Sequence, residues 1–210
     1  MKIDPTILAT VHAELAAPAP FCIIVDSNEQ TPLQFPRTVP TVRQKIYPGD
    51  YSIVGLTNKF AIERKSLDDL VNSLLGHHMV REEDECGNLI RMVKRYNRER
   101  LTEELLAMRN HKFKCLCCEE PRSRLESHWY KSTVPPHNIM GMIFDLESYT
   151  GVQFKFFEGR EQMARWIAYE ALQFWKTEHG LSSFKPHLKP ERLQPKRIAM
   201  PEPPKKEQTK

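Results

Sequence analysis

Between Tyr51 and Leu75 the spacing of apolar residues changes from two to about 3.6, so a β-hairpin here feeds directly into a helix. Tyr51 to Val54 and Phe60 to Lys65 read as the two strands, with Gly55-Leu-Thr-Asn58 as the turn. Ser66 is a suitable N-cap, and Asp68 and Asp69 occupy the first helical turn. Leu67, Leu70, Val71, Leu74 and Leu75 fill one face, and Gly76 ends the helix.

Successive side chains of a strand point to opposite faces, so Phe60, Ile62 and Arg64 share one face and Glu63 and Lys65 the other. If Val54 pairs with Phe60, Asp50 falls opposite Arg64; a slip of one residue brings it beside Glu63 or Lys65. Phe21 to Val25 is a separate buried strand that ends at Asp26, and Asp69 lies one helical turn beyond Lys65. Asp26, Asp50, Glu63, Asp69 and Lys65 are therefore expected at one sheet edge. Carboxylates crowded in this way repel, and burial raises their pKa values unless a cation compensates. A hard divalent ion such as Mg²⁺ resolves that conflict, because it takes a few carboxylate and carbonyl oxygens plus waters. A lysine two residues after such a glutamate can orient an attacking water or stabilise a charged transition state. A strand-borne aspartate followed by Glu-x-Lys is the layout of metal-dependent phosphodiester hydrolysis.

The rest of the chain reads as alternating elements. Thr41 to Tyr47 is a further strand. His77 to Asn88, polar and acidic, is expected as a mobile loop, and helical character returns over Leu89 to Tyr96 and again through Leu101, Leu105, Leu106 and Met108. Phe113 to Cys118 reads as a strand, then an irregular segment holds Trp129 and Pro135-Pro136. Ile139, Met142, Ile143 and Leu146 mark a helix and Val152 to Phe157 a strand. Met163, Trp166, Ile167, Ala171 and Phe174 mark a long helix that stops at Gly180. This order predicts one α/β domain, a mixed sheet covered by helices on both faces, over residues 21–180. Residues 1–20 read as a peripheral segment of short helical character.

Charge is unevenly placed. The net charge is +4, yet Lys185 to Lys210 alone carries eight Lys or Arg against three Glu, so the first 184 residues are close to neutral. The tail over 181–210 also holds six of the sixteen prolines and no aromatic residue beyond Phe184, and is expected to be disordered. It is read either as a loose phosphate holder or as a solubilising appendage. With 40% hydrophobic and 28% charged residues, and no uninterrupted apolar run of about 18 residues, a soluble protein without a membrane span is expected. No secretory signal is evident, and five cysteines, an odd number, do not suggest a disulfide framework. A reducing, intracellular compartment, cytoplasmic or nucleoid-associated, is the expectation.

Gly49-Asp50, twelve intervening residues, Glu63-Arg64-Lys65, three more and then Asp69 resemble the G-D-x(n)-E-R-K-x(3)-D signature of the XPF-type structure-specific endonucleases. Ile24-Val25-Asp26-Ser-Asn-Glu29 is similar to that family's V-D-x-R-E strand end. The resemblance extends over about residues 21 to 178. It implies a restriction-endonuclease-like fold and Mg²⁺- or Mn²⁺-dependent cutting of branched or flapped DNA near single-strand/double-strand junctions. Carried over by position, Asp26, Asp50 and Glu63 correspond to metal ligands, Arg64 and Lys65 complete the catalytic core, and Asp69 supports it. The chain departs from the family in three ways: Asn28 stands where arginine is usual, the 77–88 loop is acidic, and the tail over 181–210 is expected to be too short for a helix-hairpin-helix pair. Those departures keep a second reading in view, a non-catalytic DNA-junction-binding subunit that retains the fold.

Some residues admit plainer roles. Asp68 reads as a complement to the helix N-terminus, Glu29 closes a turn or joins the site, and Arg64 either pairs with a buried carboxylate or touches DNA. Lys94, Arg95, Arg98, Arg100 and Arg109 form either a solvated helix face or a phosphate-binding one. Cys115, Cys117 and Cys118 read as small buried strand residues in preference to a zinc site, since they cannot all face one ion. Trp166, Phe174 and Trp175 read as core. A homodimer formed through the helical C-terminal half is expected, because a chain of this size cannot span both arms of a branched substrate alone.

Overall fold

The computed structural model describes residues 19–86 and 89–181; the expected N-terminal helical segment and the basic tail lie outside the described residues. Along the described residues the elements run β1 (Ile23–Asp26), β2 (Thr41–Gln44), β3 (Tyr51–Ile53), β4 (Phe60–Lys65), α1 (Leu67–Leu75), β5 (His77–Glu83), β6 (Leu89–Tyr96), α2 (Asn97–Ala107), β7 (Phe113–Cys118), α3 (Arg122–Glu126), α4 (Pro136–Thr150), β8 (Gln153–Phe156) and α5 (Arg160–Glu178). Six strands form one mixed sheet in the order β2-β1-β3-β4-β7-β8. β1–β2, β4–β7 and β7–β8 pair in parallel, while β3 is antiparallel to both β1 and β4. This is the α/β, restriction-endonuclease-like arrangement expected, with helices on both faces.

Alternation along the central strands builds the two cores. Phe60, Ile62, Cys115 and Cys117 face one side and meet Met163, Ile167, Ala168 and Ala171 of α5. Ala61, Leu116 and Cys118 face the other and meet Leu70 and Leu74 of α1, Leu101 and Leu105 of α2, and Ile139 and Ile143 of α4. Each fully buried leucine among these contributes roughly 1.5–3 kcal/mol, so α1 and α2 are held by packing more than by their own propensity. Phe60 stacks on Phe113 with ring centroids 4.6 Å apart, and Phe174 leans on both rings. The three cysteines are thus split between opposite faces, as expected, and all five cysteines are unpaired. Among the described residues no helix is long and apolar enough to cross a membrane.

Three expectations are corrected. The hairpin register pairs Tyr51 with Ile62, one step away from the Val54–Phe60 pairing. β3 stops at Ile53, and a wider turn is closed by Leu56 N–H to the Ile53 carbonyl and Phe60 N–H to the Leu56 carbonyl. The stretch expected as an acidic loop followed by a helix is instead a two-stranded antiparallel ribbon, β5–β6, paired from His77–Tyr96 to Glu83–Leu89. The apolar residues of β6 match a helical period, yet they have no core to face: Leu89, Ile90 and Met92 are all exposed. Backbone groups without a packed helix to join are satisfied by the nearest partner strand. The ribbon leaves and rejoins the body at one point, where the Asn97 N–H donates to the Gly76 carbonyl at 2.9 Å. A short helix, α3, lies in the segment read as irregular.

Candidate active site

Gly49 sets the geometry. Its φ is +88°, and a Cβ built there would lie 2.8 Å from the Ile62 carbonyl oxygen, so only glycine lets the chain pass so close to β4. The next residue, Asp50, is consequently stitched to both neighbours. Its N–H donates to the Ile62 carbonyl at 2.8 Å, and its own carbonyl accepts from the Asp26 N–H at 2.8 Å. Extending the register by one step places Asp26, Asp50 and Glu63 side by side across β1, β3 and β4.

Backbone adjacency does not make one carboxylate cluster. The Asp50 carboxylate accepts from the Arg64 N–H at 2.8 Å through Oδ2. Burial, together with the negative charge of Glu63, pushes its pKa up to about 7. Burial likewise raises Glu63, although the Lys65 ammonium, 2.9 Å from Glu63 Oε1, works against that rise. Lys65 itself is held above its ordinary value: burial lowers it, and the charge and hydrogen bond of Glu63 together with the charges of Glu104 and Asp50 more than offset this. Asp50, Glu63 and Lys65 are therefore brought together.

Asp26, expected as a third ligand, is engaged by backbone donors. Its Oδ1 accepts from the Ile46 N–H at 2.9 Å and its Oδ2 from the Asn28 N–H at 3.1 Å, with Lys45 Nζ at 3.5 Å. Burial raises its pKa, but these donors outweigh burial and leave it below the usual carboxylate range. A strand-end aspartate followed by a turn satisfies the turn's own N–H groups first. Arg43, across the parallel pair, binds the Ser27 and Glu29 carbonyls at 3.0 and 2.6 Å and completes the same turn. Asp69 is also occupied locally: its N–H donates to Ser66 Oγ at 3.1 Å and its carboxylate accepts from that hydroxyl at 2.7 Å, a reciprocal cap. Among the described residues, no group of three or more His, Cys, Asp or Glu is arranged to hold a metal ion.

Arg64 takes the buried-pair role. Its guanidinium meets Glu29 at 2.9 Å through both Nε and Nη2 and also contacts Glu119, which is shared with Arg160. Arg160 in turn donates to the Pro32 carbonyl at 3.0 Å. This chain of charges ties the 27–33 turn to β4, β7 and α5 behind Asp50. Burial lifts Glu29, and the Arg64 hydrogen bond, the Thr31 N–H and the charges of Arg64 and Arg160 together draw it below its ordinary value. Glu29 also closes the turn by accepting the Thr31 N–H at 2.9 Å. The basic residues expected on one helix are divided: Lys94 and Arg95 lie on β6, Arg98 and Arg100 on α2, and Arg109 beyond its end.

Glu104 enters the site unannounced by any motif. Its Oε2 is buried without a hydrogen-bond partner, 3.8 Å from Lys65 Nζ, while Oε1 accepts from Arg100 at 3.0 Å. The signal available was modest. Glu104 sits beside the inward-facing Leu101 and Leu105, so a charge there borders the core.

Two carboxylates with pKa values driven up, compensated by one lysine, suit a hard cation that keeps most of its waters. They do not by themselves form a closed cage.

Residues 25–169 match the family model described as the ERCC4 domain. Among solved structures, the chain is similar to XPF from Aeropyrum pernix, with a TM-score of 0.51 and 16% identity over 75% of this chain and 65% of that one. A structure of XPF from Aeropyrum pernix in complex with DNA aligns with a TM-score of 0.49 and 14% identity, over 75% of this chain and 66% of that one. The chain thus spans about two thirds of the length of each of those proteins. No curated protein sequence matches it.

Proposed function

The chain belongs to the ERCC4 domain family, and from that premise we propose that it is a Mg²⁺- or Mn²⁺-dependent DNA endonuclease that hydrolyses phosphodiester bonds near single-strand/double-strand junctions. The observation that carries this reading is the buried Asp50–Glu63 pair, whose repulsion is relieved only in part by Lys65. Asp50 and Glu63 would hold the ion; each Asp26 oxygen accepts one backbone N–H and keeps a lone pair with which it would join them. A divalent cation bound there would supply a Lewis acid for phosphodiester hydrolysis.

The chain's own residues divide the remaining work. Lys65 carries a fixed positive charge next to the carboxylate pair, where it can hold the attacking water or offset charge that develops on the phosphoryl oxygens. Arg64, committed to Glu29 and Glu119, keeps the 27–33 turn in place and contributes its backbone N–H to Asp50. Asp69 and Ser66 fix the start of α1 immediately after Lys65. Incubation of flap, fork and linear duplex DNA with Mg²⁺ or Mn²⁺ tests the reading: the wild type nicks the branched substrates and Glu63→Gln does not. Identical background from both proteins refutes it.

A second reading, a junction-binding subunit without catalysis, draws on the Asp26 carboxylate being engaged by backbone donors. Calorimetry separates the two, because that reading requires no Mg²⁺ or Mn²⁺ heat at millimolar metal while junction binding persists. Self-association through the C-terminal helical half belongs to the same proposal; α4 leaves Phe144 and Tyr149 exposed. A strictly monomeric sedimentation profile with full activity would remove it.

A further inference from the structure

Trp129 is 70% exposed, whereas Trp166 and Trp175, both on α5, are partly buried against the core, Trp166 beside Phe113 and Phe157. Leaving an indole in water forgoes a large burial gain, so its presentation calls for a physical account. The surrounding segment holds it outward. His128 adopts φ +60°, a left-handed conformation unusual for a residue with a Cβ, and its Nε2 lies 2.7 Å from the Ser132 carbonyl. Tyr130 turns the other way, packing against the α1–α2–α4 core and donating its hydroxyl to the Val134 carbonyl at 2.6 Å. The Trp129 N–H donates to the Arg124 carbonyl at 2.9 Å, which anchors the backbone between these two neighbours.

Charge surrounds the ring. The Arg124 guanidinium lies over the indole, 5.4 Å from its centroid. Lys131, two residues on, reaches Asp68 at 3.7 Å, and Asp68 is in the first turn of α1, three residues after Lys65. Arg122 is paired with Glu126 at 2.8 Å. Glu120, from the same connection, accepts the Leu67 N–H at 2.7 Å, so the whole β7–α4 segment runs over the end of α1 that adjoins Lys65.

We propose that Trp129 and Arg124 form a stacking platform for an unpaired nucleobase on the single-stranded side of the substrate, with Arg124 and Lys131 meeting the flanking phosphates. An exposed aromatic face with adjacent cations is the chemistry that binds single strands without reading their sequence. A duplex keeps its bases stacked and cannot use such a platform, so the site favours a junction over blunt DNA. The proposal rests on the nuclease reading above and adds the place where the unpaired strand lies.

The test uses the full chain in EDTA, so that no cleavage intervenes. Fluorescence is read during titration with an oligodeoxythymidylate of about ten nucleotides, within the site size of single-strand binders. Anisotropy is read with a labelled flap and a labelled blunt duplex. The platform predicts that the oligonucleotide quenches wild-type emission and that Trp129→Ala removes this quenching. It also predicts that Trp129→Ala weakens flap binding about tenfold, as loss of one stacked base does, while duplex binding changes by less than about twofold. Trp129→Phe, which keeps a π-face, retains most of the flap affinity. Equal flap affinity in wild type and Trp129→Ala, with cleavage by the wild type intact, overturns the platform alone. Failure of the wild type to bind any DNA overturns both the platform and the nuclease reading. Emission from Trp129 that changes with protein concentration in the absence of DNA points to burial by a second copy and also overturns the platform.

Discussion

Lys65 Nζ lies 3.8 Å from Glu104 Oε2, a buried oxygen with no hydrogen-bond partner, while it donates to Glu63 at 2.9 Å. One ammonium therefore serves acidic groups from β4 and α2. Removing it leaves buried negative charge without compensation, which is more damaging than deleting a whole ion pair. Lys65→Met is expected to lower stability by about 3 kcal/mol at pH 8 in EDTA, and by less at lower pH, because burial raises the Glu63 carboxyl and its protonation removes the uncompensated charge. Glu104→Gln, which keeps shape and an acceptor, should change stability by no more than about 1 kcal/mol. Urea unfolding at pH 8 and at lower pH measures both variants.

Asp50 predicts an inverted pH dependence. A carboxyl with a folded pKa near 7 and an ordinary unfolded value near 3.8 binds more protons when folded. Its contribution to stability is therefore complete below pH 3.8 and is lost as pH rises through 7. The depressed pKa values of Asp26 and Glu29 act in the opposite sense, and only at the acidic end. Metal-free protein should lose about 2–3 kcal/mol between pH 5 and pH 8, Asp50→Asn should flatten the curve, and millimolar Mg²⁺ should restore stability at the higher pH. Thermal melts across that range, with and without metal, check all three outcomes.

Gly49→Ala should be costly out of proportion to one methyl group. The added carbon would meet the Ile62 carbonyl at 2.8 Å, and φ +88° disfavours it independently. A loss of about 2–3 kcal/mol is expected, together with reduced Mn²⁺ affinity by calorimetry, because Asp50 is attached to the displaced backbone.

Asp26 and Asp69 should behave as structural carboxylates. Asp26→Ala strands the N–H groups of Ile46 and Asn28 and should cost about 2 kcal/mol in urea unfolding. Asp69→Ala weakens the helix cap by about 1 kcal/mol. Mn²⁺ binding should survive Asp69→Ala and vanish in Glu63→Gln; the reverse order would move the cation from β4 to α1.

The fold was legible where an element has a core to face. Leu67 to Leu75 and Met163 to Phe174 place their apolar residues at helical spacing because α1 and α5 each cover one side of the sheet. β6 was misread as a helix because its apolar residues face water, so their spacing reflects no packing constraint. At the site, Gly49-Asp50 and Glu63-Arg64-Lys65 could be read in advance since local backbone geometry positions them. Asp26 could be placed but not oriented: strand order brings it beside Asp50, and the donors that turn its carboxylate come from Asn28 and Ile46. Glu104 reaches Lys65 only through the packing of α2 on α1, a tertiary relationship that spacing along the chain does not carry.

The β5–β6 ribbon begins and ends at one hydrogen bond between Gly76 and Asn97, and α1 and α2 pack on each other without it. A tight turn at that junction would close the same loop, so the arm can be lengthened, shortened or exchanged without disturbing the hairpin that holds Asp50 and Glu63. The arm and the buried carboxylate pair are thus free to vary independently of each other along this chain.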